Sequence, residues 1–227
     1  MRIQTSVLSN IVRTDSARSV KVIKPESFSF LPGQFFKVYA NDGFRYLSAS
    51  CSTRKNYLEF TKKITQSDFS AWFKSLNKDD VITIDGPYGK FVIEPDDDKI
   101  LFVAGGIGIT PIFSMLEEAA ISNDNERDYI LFYGNKTIND IIFYNELQEF
   151  TKKIQLKIFH FLEEEREDEI NCHHGYIEIQ KIQKFLPDIA DRTIFICGPP
   201  TMVNKLDNDT KKFKIAKKVK VERLVGY

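Results

Sequence analysis

From residue 1 to about 95 the chain alternates apolar and polar positions with period two, as strands with one buried face do. Segments 18–22, 34–39, 57–63 and 81–84 carry that alternation most clearly. Turn-forming clusters separate them: Leu31-Pro32-Gly33, Asn41-Asp42-Gly43, Asn77-Lys78-Asp79-Asp80 and Gly86-Pro87-Tyr88-Gly89. Residues 70–76 interrupt with one short helix. Several short strands at this interval predict a small antiparallel β-barrel.

After Lys99 the rhythm changes. Continuous apolar runs at 100–104, 129–133, 155–161 and 193–197 read as fully buried strands, and 111–120, 140–150, 177–185 and 200–213 as helices. Strand–helix alternation predicts a parallel sheet joined by right-handed crossovers and covered on both faces. The acidic stretch Glu94-Pro95-Asp96-Asp97-Asp98 marks the junction. The expectation is therefore two domains: a β-barrel over 1–97, then an α/β parallel-sheet nucleotide-binding domain over 98–227.

Composition narrows the function classes. Lys plus Arg and Asp plus Glu both number 32 in 227 residues, so no net charge argues for nucleic acid or an anionic membrane. Cys51, Cys172 and Cys197 are few, odd in number and lack a Cys-x-x-Cys pair. That excludes an iron–sulfur loop built within the chain and fits a reducing, cytoplasmic setting. No apolar stretch approaches the ~20 residues of a membrane span.

The most informative chemistry lies at Ala104-Gly105-Gly106-Ile107-Gly108-Ile109-Thr110-Pro111. A strand that ends in glycines and runs into a helix start can present backbone amides to a phosphate. Proline suits a first helical position, where its missing N–H costs nothing. Alone, this turn reads equally well as a ligand-free strand-to-helix connection. Two further loops follow predicted strands, Gly134-Asn135-Lys136-Thr137 and Cys197-Gly198-Pro199-Pro200. Ligands of open α/β sheets bind at the carboxyl ends of the strands, so three such loops together point to a binding crevice.

Five segments, in order, resemble the ferredoxin–NADP⁺ reductase superfamily of flavin- and pyridine-nucleotide-dependent oxidoreductases. They are Pro32-Gly33-Gln34-Phe35, Phe44-Arg45-Tyr46-Leu47-Ser48, Gly86-Pro87-Tyr88-Gly89, the glycine turn above, and Cys197-Gly198-Pro199-Pro200-Thr201-Met202. The resemblance implies a flavin-binding barrel followed by a nucleotide domain, with the reaction between them. It implies bound FAD ahead of FMN, and NADPH or NADH as coenzyme. Hydride moves between nicotinamide and flavin, and single electrons pass to a separate carrier, a ferredoxin, a flavodoxin or another iron–sulfur protein. Two other readings stand beside this one: an electron-transfer subunit of an oxygenase or similar complex, and a nucleotide-binding module without turnover.

The resemblance also assigns roles. Arg45 matches the family's flavin-phosphate arginine, and Ser48 its serine near the reactive flavin nitrogen. Leu47 stands where the family has tyrosine and Tyr46 lies one place earlier, so either is open as the ring contact. Thr61 and Lys63 are expected to meet flavin largely through backbone. Phe69 and Ser70 open the short helix that would receive a flavin phosphate, although Ser70 serves equally as a plain N-cap. Gly105, Gly106, Gly108, Thr110 and Pro111 would hold the pyrophosphate and nicotinamide, and Gly134, Asn135 and Lys136 the adenosine ribose. Cys197, beside Gly198, Pro199 and Pro200, would position the nicotinamide, and Tyr227 would stack on flavin, with Glu222 a weaker proton donor. Cys172-His173-His174 reads as a surface turn and the acidic run 163–169 as a solvated loop. Lys205, Lys211, Lys212, Lys214, Lys217, Lys218 and Lys220 read as a solvated basic face, with docking of an acidic carrier the minority reading.

Overall fold

The structure is a computed structural model that describes residues 2–26, 28–40, 43–164 and 172–224. Two compact units account for it. One comprises Met1–Val92 with Thr110–Ile121, the other Ile93–Ile109 with Ser122–Val225.

In the first unit, alternation builds the strands β1 (Arg2–Thr14), β2 (Ala17–Ile23), β3 (Phe35–Ala40), β4 (Gly43–Ser48) and β5 (Tyr57–Lys63). Helix α1 (Asp68–Ser75) and strand β6 (Val81–Tyr88) follow. They form an antiparallel sheet in the order β4-β3-β6-β1-β2-β5. A bridge between Ala49 and Phe60, and a hydrogen bond from Ser50 N to Glu59 O (2.8 Å), tie the β4 end of the chain to β5 and give the barrel-like closure expected. Val20, Val22, Phe36, Val38, Leu47, Leu58, Phe60, Ile82 and Ile84 fill the interior, and α1 adds Phe69 and Phe73.

Three local expectations need correction. β1 was not anticipated; it pairs with β6 through residues 2–6 and with β2 from Val7 onward, and register shifts between Val7 and Ser9 and between Val12 and Thr14 break its period. β6 continues through Gly86-Pro87, read above as a turn. β1 pairs only as far as Asp85, so Pro87 lies where one ladder has ended and no N–H is required. α1 begins at Asp68, because Ser67 and not Ser70 is its N-cap; the Ser67 hydroxyl accepts from Ser70 N at 3.3 Å. Helix α2 (Ile109–Ser122) belongs to this unit over Thr110–Ile121. Ser114 Oγ donates to Cys51 O (2.6 Å), Glu117 accepts from Ser52 N (2.6 Å), and Glu118 accepts from Thr53 N (2.8 Å) and Arg54 Nε (2.9 Å).

The second unit contains β7 (Lys99–Gly105), β8 (Asp128–Asn135), α3 (Tyr144–Phe150), β9 (Leu156–Leu162), β10 (His173–His174), α4 (Ile179–Phe185), β11 (Thr193–Gly198), α5 (Pro200–Phe213) and β12 (Lys218–Arg223). All pairings are parallel, in the order β10-β9-β8-β7-β11-β12. The chain winds outward from β7 to β10, then returns to the other side of β7 with β11. The topological switch point therefore falls between β7 and β11. Leu101, Val103, Phe132, Ile194 and Ile196 pack with Ile179, Ile182, Val203 and Leu206 of the covering helices.

The helix expected over 140–150 starts only at Tyr144. A 3-10 turn (Ile138–Asp140) precedes it, closed by reciprocal Thr137–Asp140 capping, and Phe143 takes φ +64. Ile141, Ile142 and Phe143 are all buried, which three consecutive residues on one helix face cannot be. Cys172-His173-His174 is no surface turn. Cys172 is buried, and His173–His174 pairs with Phe161–Leu162 as a short edge strand, with His173 against Phe185 at 4.6 Å between ring centroids. The basic run is paired largely within this unit: Lys220 meets Glu94 (3.1 Å) and the fully buried Asp97 (3.6 Å), Lys218 meets Glu94, Lys205 meets Glu178 (3.0 Å) and Lys211 meets Asp207 (2.9 Å).

Candidate functional site

In the barrel unit the candidate residues sort by strand face. β4 pairs with β3 as Arg45↔Val38 and Leu47↔Phe36, and as Tyr46↔Lys37 and Ser48↔Phe35. Val38 and Phe36 are core residues, so Arg45 and Leu47 share the interior side, whereas Tyr46 is 56% exposed among Phe35, Phe44 and Lys37. Leu47 is buried in the core and Tyr46 is not on its face. Arg45 Cζ lies 5.4 Å from the centroid of Phe69, the fully buried ring at the start of α1.

A residue absent from the sequence reading joins them. Lys62, beside the named Thr61 and Lys63, is buried, with Nζ 5.9 Å from the same ring. Burial first, and the neighbouring Arg45 guanidinium second, push its ammonium down to about 8. Lys63, by contrast, is exposed. Alternation alone could have separated the two, since Lys62 lies two residues beyond Phe60 on the core side. Thr61 is committed within the protein: its hydroxyl bridges Ser19 (2.7 Å) and Ser50 (2.6 Å), and Arg13 Nε extends the chain to Ser19 (2.8 Å). Ser48 is buried, and Ser70 Oγ accepts from Thr65 N (3.1 Å). Two cations drawn to one buried ring fit a polyanionic ligand such as a flavin diphosphate.

In the α/β unit the glycine turns at the carboxyl ends of β7 and β11 press on one another. A Cβ on Gly108 would lie 2.3 Å from Cys197 O and 2.7 Å from Gly198 Cα. One on Gly105 would lie 2.7 Å from Met202 Sδ and 3.0 Å from Pro199 Cδ. Gly106 differs: its φ is +51 and a Cβ there would meet nothing within 4 Å. Gly105 and Gly108 thus serve close packing, and Gly106 turns the chain beside open space. Gly106–Gly108 is a 3-10 turn, so α2 begins at Ile109 and Pro111 falls in the first helical turn rather than at its first position; both Thr110 and Pro111 are buried. Pro199 caps α5 and Pro200 opens it.

Cys197 is fully buried opposite Glu222 in register. Burial, then the Glu222 charge, hold its thiol well above the ordinary range, so it stays protonated and un-nucleophilic. Burial likewise raises Glu222. At the carboxyl end of β8, Gly134 is half-buried, Asn135 is buried and Lys136 is exposed. Asn135 is buried and its Nδ2 has no partner among the described residues, nor does either nitrogen of His160, which pairs with Tyr133 in register on β9. Burial pushes His160 down to about 4. His160 was missed because a lone histidine in an apolar strand carries no motif. Unsatisfied buried donors at a strand terminus of this kind fit a polar ligand group. Tyr227 lies outside the described residues.

Known proteins match this arrangement. The family model described as the oxidoreductase NAD-binding domain matches residues 102–208. The chain is similar to the NADH-cytochrome b5 reductase 2 of Debaryomyces hansenii (32% identical over 162 residues, 69% of this chain and 54% of that protein). It is also similar to the glycine betaine monooxygenase reductase subunit of Pseudomonas aeruginosa (29% identical, 78% of this chain and 50% of that protein). The chain spans about half the length of these relatives. A ferredoxin NADP⁺ reductase of Neisseria gonorrhoeae, solved with bound FAD and NADP, superposes with TM-score 0.84 at 21% identity over 98% of both chains. No helix among the described residues is long and apolar enough to cross a membrane. Barrel, switch-point glycines and these likenesses agree: the chain carries an oxidoreductase NAD-binding domain over residues 102–208 and has the fold of the flavin- and pyridine-nucleotide-dependent ferredoxin reductases.

Proposed function

We propose that this chain is an NAD(P)H-dependent flavin oxidoreductase that reduces a bound FAD and delivers electrons singly to a separate ferredoxin- or flavodoxin-type carrier. The observation that carries the reading is the glycine-on-glycine packing of Gly108 against Cys197–Gly198 at the switch point of the parallel sheet, where open α/β sheets take nucleotides. The functional division is drawn at 97/98, with the flavin on the barrel side.

The flavin supplies the chemistry when bound, accepting a hydride from the nicotinamide and releasing electrons one at a time. The chain's residues supply position and charge. Arg45 neutralises phosphate with its fork of donors, with Phe69 and Ser70 at the adjoining helix start. Leu47 shares the face of Arg45, which favours it over Tyr46 as the ring contact. Ser48, Thr61 and Lys63 border the ring through strand backbone and, for Ser48, a hydroxyl. Gly105, Gly106, Gly108, Thr110 and Pro111 receive the coenzyme diphosphate. Gly198, Pro199 and Pro200 shape the turn beside it, where Cys197 acts as a compact protonated neighbour. Asn135, with Gly134 and Lys136, meets the adenosine ribose. Three buried cysteines outside any disulfide support a reducing, cytoplasmic setting.

Anaerobic titration with NADH and with NADPH, followed through the flavin absorption band, tests the proposal. Bleaching by either coenzyme is expected, and its midpoint ranks the two. A purified protein with no bleachable flavin would overturn the reading. A second reading, the electron-transfer subunit of an oxygenase, draws on the likeness to the monooxygenase reductase subunit. Co-purification of a stoichiometric iron–sulfur protein would favour it over a freely diffusing carrier.

A further inference from the structure

Two strands of the barrel unit bring cations to one buried ring, and a third carries a cation in register with one of them. β4 supplies Arg45 opposite the core residue Val38, β5 supplies Lys62 two places beyond Phe60, and β2 supplies Arg18 directly opposite Lys62. Arg45 and Lys62 both approach the buried Phe69 ring, at 5.4 and 5.9 Å. Lys62 is only 3% exposed, and its Nζ donates to the Lys63 carbonyl at 2.8 Å. Among the described residues no carboxylate forms an ion pair with it; the acid on α1, Asp68, is exposed in the first helical turn. Burying an ammonium that has no carboxylate partner of its own, close to a like charge, is unfavourable, and proteins keep such groups where an anion arrives.

We propose that Lys62 is a second anion-binding residue of the flavin site and that it takes up a proton from solvent when a flavin diphosphate binds. The inference rests on the flavin reading above. No covalent bond changes; neutral Lys62 gains a solvent proton and a charge-assisted hydrogen bond to phosphate. The groups facing Lys62 set the direction. Burial first, and Arg45 on β4 second, oppose its charge, and Arg18 on β2 stands opposite it in register. Asp68 on α1 is exposed. With the ammonium pushed down to about 8, a bound dianion restores it toward the ordinary lysine range. Uptake should then be negligible at pH 6.5, about half a proton per FAD at pH 8 and approaching one at pH 9.

Calorimetry of FAD binding to flavin-stripped protein, in buffers of different ionisation heat, reads that uptake directly. The series compares wild type, Lys62→Met and Lys62→Arg, with riboflavin as the phosphate-free control and circular dichroism as the check on folding. The expected result is uptake on FAD but not riboflavin binding, and its loss in both variants. FAD affinity should fall about 10–100-fold in Lys62→Met and return to within a few-fold in Lys62→Arg, which is charged at every pH used. Uptake that persists in Lys62→Arg, or undiminished FAD affinity in a folded Lys62→Met, overturns the inference while leaving the flavin reading intact. Wild-type protein that binds no flavin overturns both.

Discussion

The two units build their candidate sites from opposite kinds of surface. The barrel end gathers side-chain charge: Arg45 and Lys62 over Phe69, with Arg18 opposite Lys62. The switch point of the α/β unit gathers backbone, glycine packed on glycine, and its buried polar residues are uncharged. Side-chain charge is titratable and screened by salt, and it tolerates repacking. Backbone presentation is indifferent to pH and sterically unforgiving. Each prediction below separates those behaviours.

The largest effect is expected at Gly108. A methyl group there would sit 2.3 Å from Cys197 O, and both turns are fixed by sheet pairing on β7 and β11. Gly108→Ala should cost about 2–4 kcal/mol of stability, as overpacking against backbone does, and should abolish measurable nucleotide binding. Gly106→Ala is the contrast. With open space around it and only a φ of +51 to sustain, it should cost about 1 kcal/mol. Denaturant unfolding of the two variants decides the matter. If Gly106→Ala is the more damaging, the packing account of this turn is wrong.

Arg45 probes the other surface. Arg45→Gln should weaken FAD binding by about 1.5–3 kcal/mol and leave pyridine-nucleotide affinity unchanged, with a steeper salt dependence in the wild type than in the variant. Fluorescence titration of each ligand at two ionic strengths checks it. Equal losses for both ligands would dissolve the distinction between the two surfaces.

The same contrast explains what could be read from the chain. The α/β unit was legible because its signals are local: four apolar runs became β7, β8, β9 and β11 almost residue for residue, and α5 matched 200–213 outright. The glycine turn was legible too, but its reason was not. Sequence suggests room for phosphate, whereas Gly105 and Gly108 are small because a second turn lies against them. The barrel was harder. β1 changes partner at Val7, so no single period spans it, and β4 hides behind a motif whose facing depends on register. Alternation separates Lys62 from Lys63 and sets Leu47 rather than Tyr46 on the side of Arg45, but only register shows that this side faces the core. A charged residue becomes a candidate site only when its strand partners are known.

A third effect, intermediate in size, concerns His160. Both nitrogens are buried without partners among the described residues, and burial holds its pKa at about 4, below the ordinary value of about 6.5. The folded state thus binds fewer protons than the unfolded one between those values. Stability contributed by neutral His160 is present above about pH 6.5 and is lost as pH falls toward 4. His160→Gln should flatten the stability–pH curve across that window, measured by urea midpoints from pH 4 to 7. Nucleotide binding at this edge should also shift the His160 resonance in NMR, which Arg45→Gln should not affect. A curve equally steep in His160→Gln would assign the acid sensitivity elsewhere.

The smallest effect tests whether the backbone surface is chemically quiet. Cys197 stands at the carboxyl end of β11, where a reactive thiol would change the chemistry available beside Gly108. Burial and the Glu222 charge keep it protonated, and burial pushes Cys51 up to about 12. Neither should react with iodoacetamide at pH 8 while the protein is folded; labelling should proceed only at the rate of opening and should reach all three cysteines in denaturant. Cys197→Ala should accordingly leave labelling of the folded protein unchanged and alter stability by little more than the lost packing of one sulfur. Its effect on coenzyme affinity should be correspondingly slight, since a protonated buried thiol offers shape and not charge. Rapid alkylation of Cys197 in the native state would mean that the β11 terminus, like the barrel end, works through an ionisable side chain. The division between a charged surface and a backbone surface would then fail at its most sheltered point.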